Sequence, residues 1–185
     1  AARDGGVLGA GGGERGAGVA CFEAREGKAM SERISALEMA VGFETRLYDR
    51  ASVANWVDGE VFASERVEGP LLELTVLVGK ADHEIALELE ALARAESVAA
   101  TYAELTLACL GVLVETHRVE LRAAISHLFG MANSSEFSED DCAEVYYLDD
   151  GYDLAAAGYQ GTLEGVRADF LAFTGRYRHL LVGVP

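Results

Sequence analysis

Acid–base and metal chemistry require histidines and carboxylates held at fixed spacing, and two places in this chain offer them. Asp82-His83-Glu84 with Glu88 forms one group, and Glu115-Thr-His117 with Glu120 forms another. A carboxylate-bridged metal bundle draws Glu-x-x-His from facing helices. That order is absent; only the reverse, His117-x-x-Glu120, occurs. His83, Glu84, Glu88, His117 and Glu120 are therefore the candidate ligands of a helical metal- or small-ligand-binding protein. The competing reading is a solvated helix face, where Glu, His and Arg ordinarily sit. It requires no metal and no cofactor.

Covalent chemistry finds less support. The chain has no Gly-x-Ser-x-Gly elbow and no P-loop. Loose Gly-x-Gly matches in the first 30 residues follow no strand. Cys109 sits in an apolar run and reads as a small core hydrophobe. Cys142 lies among Glu139, Asp140, Asp141 and Glu144, whose charges disfavour a thiolate. No catalytic set is expected, and the chain reads as non-enzymatic.

The segment from Met131 to Gly165 carries a different signal. From Ala123 to Val166 there is no Lys or Arg, while nine acids occur: Glu136, Glu139, Asp140, Asp141, Glu144, Asp149, Asp150, Asp153 and Glu164. Phe137, Tyr146, Tyr147, Tyr152 and Tyr159 are interleaved with them. Rings supply buried area at an interface, and carboxylates steer and pair with Arg or Lys. The candidate partner-binding residues are Tyr147, Asp149, Asp150, Tyr152 and Asp153, with Glu139, Asp140 and Asp141 steering. A basic protein partner is expected. The run from Asp149 to Asp153 lacks the register of a calcium loop. The same residues also suit an acidic solvated face, with tyrosines packed inward and aspartates placed at helix ends. Both readings stay open at this point.

The elements that position these groups read as helices. Ser31 to Arg50 is one, with Ile34, Leu37, Val41 and Tyr48 near one face. Asp49 or Ser52 caps a second, in which Val53, Trp56, Val57 and Val61 repeat at helical spacing. Gly69-Pro70 breaks the chain. Leu71 to Val78 suits either a short strand or a buried helix, and the helix is favoured because no second strand of similar quality exists to pair with it. Asp82 caps a helix facing inward through Ile85, Leu89 and Leu92. Ser97 to Phe129 reads as one long central helix, ended by Gly130, with Gly111 either letting a neighbour approach closely or bending the helix. Ser138 opens a short helix to Leu148, Asp149-Asp150-Gly151 signals a turn, and Thr162 caps a last helix. No alternating strands and no internal repeat occur, so the expected class is all-α: a compact irregular bundle of about six helices.

Composition bounds the rest. A chain of 185 residues, half of them apolar, fits one domain with a real core. The net charge of −16 argues against nucleic acid or an anionic membrane as a direct partner. No stretch reaches the roughly 18 apolar residues of a membrane span. Three cysteines without regular spacing fit reduced thiols and a cytoplasmic location. Residues 1–30 hold nine of the 21 glycines, with four basic and four acidic side chains in balance. They read as a disordered leader to a single helical domain over 31–185. Met30-Ser31 has the look of a natural start, with residues 1–29 an addition; a flexible native tail is the alternative. Arginine outnumbers lysine 13 to 2, as GC-rich coding would produce. The acid excess needs another cause, either function or a halophilic source.

The run EVYYLDDGYDLAAAGYQGTLEGVRADFLAFTGRY (Glu144 to Tyr177) resembles the C-terminal half of small acidic bacterial proteins, some of them immunity proteins encoded beside secreted toxins. SVANWVDGEVF (Ser52 to Phe62) and LLEL (Leu71 to Leu74) are similar to their early helices. The resemblance rests on hydrophobic spacing with a Tyr-x-Leu-Asp and a Gly-x-x-Gly pattern. It implies an inhibitor that binds one basic toxin, for which complementary charge raises association rates. A cytosolic chaperone or adaptor is the further alternative, and its binding would tolerate salt.

Overall fold

The computed structural model describes residues 33–67, 69–134 and 136–183. The expected leader over residues 1–30 lies outside them. Among the described residues there are eight α-helices, one 3₁₀ turn and no strand. They are α1 (Ala36–Glu44), α2 (Arg50–Ala63), α3 (Gly69–Leu74), α4 (Asp82–Ala93), α5 (Tyr102–Glu115), α6 (Leu121–Asn133), α7 (Glu139–Ala156) and α8 (Leu163–Gly175), followed by Arg178–Leu180. The all-helical class is as expected, with more and shorter helices than about six.

Side-chain caps set the helix starts. Ser35, Asp49, Thr101, Ser138 and Thr162 each accept a backbone N–H of the first turn, an arrangement worth about 1 kcal/mol per helix. The helix at 82–93 differs from expectation. Its cap is Ala81, whose N–H donates to the Glu84 carboxylate at 2.6 Å. Asp82 instead accepts from Arg46 at 2.6 Å and from Arg50 at 2.7 Å.

Two left-handed residues break runs that read as continuous. Arg46 has φ +67°, ending α1 at Glu44 where a helix was expected to continue to Arg50. His117 has φ +58° and divides the expected long helix into α5 and α6. The two turns are tied together, because the Arg118 guanidinium donates to the Arg46 and Leu47 carbonyls at 2.6 and 3.1 Å. Gly130 does not end α6, which continues to Asn133. The buried helix expected over 71–78 is helical only as far as Leu74, and Val76 and Val78 are exposed.

The core has two parts. Val53, Val57, Leu74, Ile85 and Leu89 pack with Met39, Ala40 and Phe43 of α1. The larger part surrounds α5, whose residues are buried from Leu105 through Val114, and draws on α6, α7 and α8. α5 is thus the central helix, as its apolar middle implies. Gly111 permits the approach of α8: a Cβ there would lie 2.6 Å from the Thr174 hydroxyl. Val145 and Leu148 of α7 and Val166, Phe170 and Phe173 of α8 anchor those helices to this core. That burial fixes which side chains the two helices present outward.

Candidate protein-binding face

α7 carries the acid-and-tyrosine segment. Its inward residues Val145, Leu148 and Tyr152 follow helical spacing and pack into the core. That period runs through Asp149-Asp150-Gly151, so the expected turn is the interior of an 18-residue helix. Packing outweighs the local turn preference of these residues. Asp149 and Asp150 therefore leave the helix on different flanks.

The flank toward α6 is closed by the chain's own groups. Arg122 donates to Asp149 at 2.8 Å and lies 3.2 Å from Asp153, with its guanidinium carbon 5.2 Å from the centre of the Tyr152 ring. Tyr146 stacks edge-on against Phe129 at 5.5 Å. Three of the candidate residues, Asp149, Tyr152 and Asp153, are thus engaged internally. The missed residue is Arg122, which stands just before the stretch free of basic residues.

The flank toward α8 is open. Tyr147, Asp150, Gly151 and Leu154 recur at helical spacing and meet Thr162, Gly165, Val166 and Asp169 of the α8 side in a groove of about 230 Å³. A second hollow of about 290 Å³, lined by Glu144, Ala172, Phe173 and Arg176, shares Tyr147 and Asp169 with it. Tyr147 is 62% exposed and Tyr159, beside the Gln160 wall, 83%. Asp150 and Asp169 are exposed and have no ion-pair partner among the described residues. Asp169 is not among the expected residues because it lies beyond Arg167, where the stretch free of basic residues ends. Helical geometry separates them: Arg167 turns away to donate to the Val114 carbonyl at 2.8 Å.

The steering residues divide as well. Glu139 and Asp140 are exposed in the first turn of α7, where carboxylates also favour the helix dipole. Asp141 is occupied, accepting from the Ser138 hydroxyl at 2.7 Å and the Tyr177 hydroxyl at 2.6 Å. Burial and that carboxylate push the Tyr177 phenol up to about 12. Cys109, buried under α1, is likewise pushed up to about 12 by desolvation, which leaves it a thiol at neutral pH.

The alternative metal ligands lie apart in role. Among the described residues no three His, Cys, Asp or Glu side chains are grouped to hold a metal ion. His83 lines a cleft of about 510 Å³ with Phe43, Arg46, Leu87 and Glu90. Glu84 accepts from Ala81, Glu88 lies 4.0 Å from Lys80, His117 forms the α5–α6 turn and Glu120 precedes α6. Among the described residues no helix is long and apolar enough to cross a membrane. The chain matches no protein-family model, no curated protein and no solved structure.

Proposed function

We propose that this chain is a non-enzymatic acidic module that binds a basic protein, acting as an immunity-type inhibitor of a partner such as a toxin in the bacterial cytoplasm. The observation that carries this reading is the α7–α8 groove. It sets the exposed Tyr147 ring beside Asp150 and Asp169, two carboxylates without an ion partner among the described residues. An exposed ring with unpaired carboxylates offers buried area and complementary charge to a cationic surface. Glu139 and Asp140 extend the negative field toward the start of α7 and would steer the encounter.

The test compares tagged wild-type protein with Asp150→Lys/Asp169→Lys in lysate of the source organism, read by native mass spectrometry. A stoichiometric basic protein is expected on the wild type at about 0.05 M salt, lost by about 0.5 M as screening lengths shorten. It should be bound at least about 100-fold more weakly by the double variant, since like charges at an interface cost several kcal/mol. Retention of the same partner at high salt, or by the variant, overturns the proposal.

A further inference from the structure

Three times within the described residues a guanidinium of this chain is seated between a carboxylate and a ring. Arg46 lies 5.9 Å from the Phe43 ring and 2.6 Å from Asp82. Arg122 lies over Tyr152 with Asp149 and Asp153 at its edge. Arg176 stands 4.7 Å from the Phe173 ring and 3.3 Å from Glu144. Arg122 lies on the flank of α7 away from the α7–α8 groove, and Arg176 lines the hollow adjoining that groove. The groove holds the same parts, the Tyr147 ring with Asp150 and Asp169; among the described residues no Lys or Arg lines it, and Arg176 lines only the adjoining hollow.

We infer that this groove seats a single arginine side chain of the partner, with its guanidinium on Tyr147 between Asp150 and Asp169. The inference rests on the proposed binding of a basic protein and names the group that anchors it. Leu154 and Val166 form the apolar wall along which the methylene stem would lie. Arginine suits the groove better than lysine for two reasons. Its flat cation stacks on a ring, and its several N–H donors can reach two carboxylates at once. Lysine offers a compact ammonium that prefers to keep its water.

The experiment titrates the full isotope-labelled chain with N-acetyl-arginine amide and, separately, N-acetyl-lysine amide. Saturable shifts in the amides of Tyr147, Asp150, Gly151, Gly161 and Gly165 are expected from the arginine probe. Its affinity should be at least about threefold tighter than that of the lysine probe, the size of an exposed cation–π contact. Tyr147→Ala and Asp150→Asn should each weaken it by about threefold or more, and Asp149→Asn should leave it unchanged. Unaltered thermal midpoints would show that the exposed variants remain folded. Equal response to both probes, or none at these amides, overturns the inference. A basic partner lost at high salt but held equally by Tyr147→Ala would sink the arginine anchor alone. The absence of any salt-sensitive partner would sink the reading beneath it.

Discussion

The two flanks of α7 are built from the same residue types and do different things. On the α6 side, Asp149, Tyr152 and Asp153 surround Arg122, and Tyr146 packs against Phe129. On the α8 side, Tyr147 and Asp150 face a groove with Asp169; among the described residues no Lys or Arg lines it, and the nearest cation shown, Arg176, lines the adjoining hollow and pairs with Glu144. A carboxylate already paired at 2.8 Å presents little net field to a visitor. One without a counterion presents all of it. Composition alone therefore overstates the free acidic surface, because part of the acidic segment is matched internally. The difference is set by one step along a helix: neighbours at 149 and 150 diverge by roughly 100°.

Removing Arg122 breaks the first flank. Arg122→Ala leaves Asp149, with its side chain 19% exposed, beside Asp153 with no counterion, and strips the cation from Tyr152. Partly exposed ion pairs and cation–π contacts each contribute up to about 1 kcal/mol. The expected loss is about 1 kcal/mol of unfolding free energy, read by urea denaturation and smaller in high salt. An unchanged midpoint would show that this flank is as free as the other.

Much of this arrangement was legible in the sequence, and the parts that were not share a cause. Ser138, Thr162 and Asp49 were readable as caps because capping is local, needing only an oxygen placed three residues before its N–H. Gly111 was readable in part: a glycine inside an apolar helix implies a close neighbour or a bend, and the approach of Thr174 decides between them. Asp149-Asp150-Gly151 misled because a local turn preference competes with core contacts of Val145, Leu148 and Tyr152, and the contacts prevail. His117 gave no warning: neither Gly nor Pro marks its turn, which Arg118 stabilises through carbonyls more than 70 residues away. Arg122 reaches Asp149 across 27 residues, and Asp169 joins the groove from the next helix. Such pairings are products of packing, which spacing along one element does not express.

A carboxylate on neither flank extends the comparison. Glu38 is buried and accepts from the Tyr48 hydroxyl and the Val182 N–H, both at 2.9 Å. Burial outweighs these bonds and raises its carboxyl above the ordinary value of 4.5. The folded state thus holds this proton more tightly than the unfolded chain does. Its contribution to stability is full below pH 4.5 and is lost as pH rises from there through the raised value. Asp82, lowered by Arg46 and Arg50, acts with the opposite sign, losing stability as pH falls through its range. In Glu38→Gln the first slope should vanish, so the variant's thermal midpoint gains on the wild type as pH rises. Parallel curves would mean that Glu38 keeps an ordinary carboxyl.

The smallest effect separates the flanks most directly. At about 0.15 M salt, where screening acts over about 8 Å, Asp150→Asn alone should slow association with the proposed basic partner. Asp149→Asn/Asp153→Asn should change that rate by less than about twofold, although it removes two acids rather than one. The double variant should show itself in stability instead, because Arg122 loses both carboxylate partners. Exchanging all three aspartates together would merge a folding cost with a binding cost. The single and double variants keep them apart. Stopped-flow association and urea midpoints on the same samples give both readings. Should the double variant slow association as much as Asp150→Asn, the partner reaches the α6 flank, and Arg122 is a contact to be displaced rather than a structural tie.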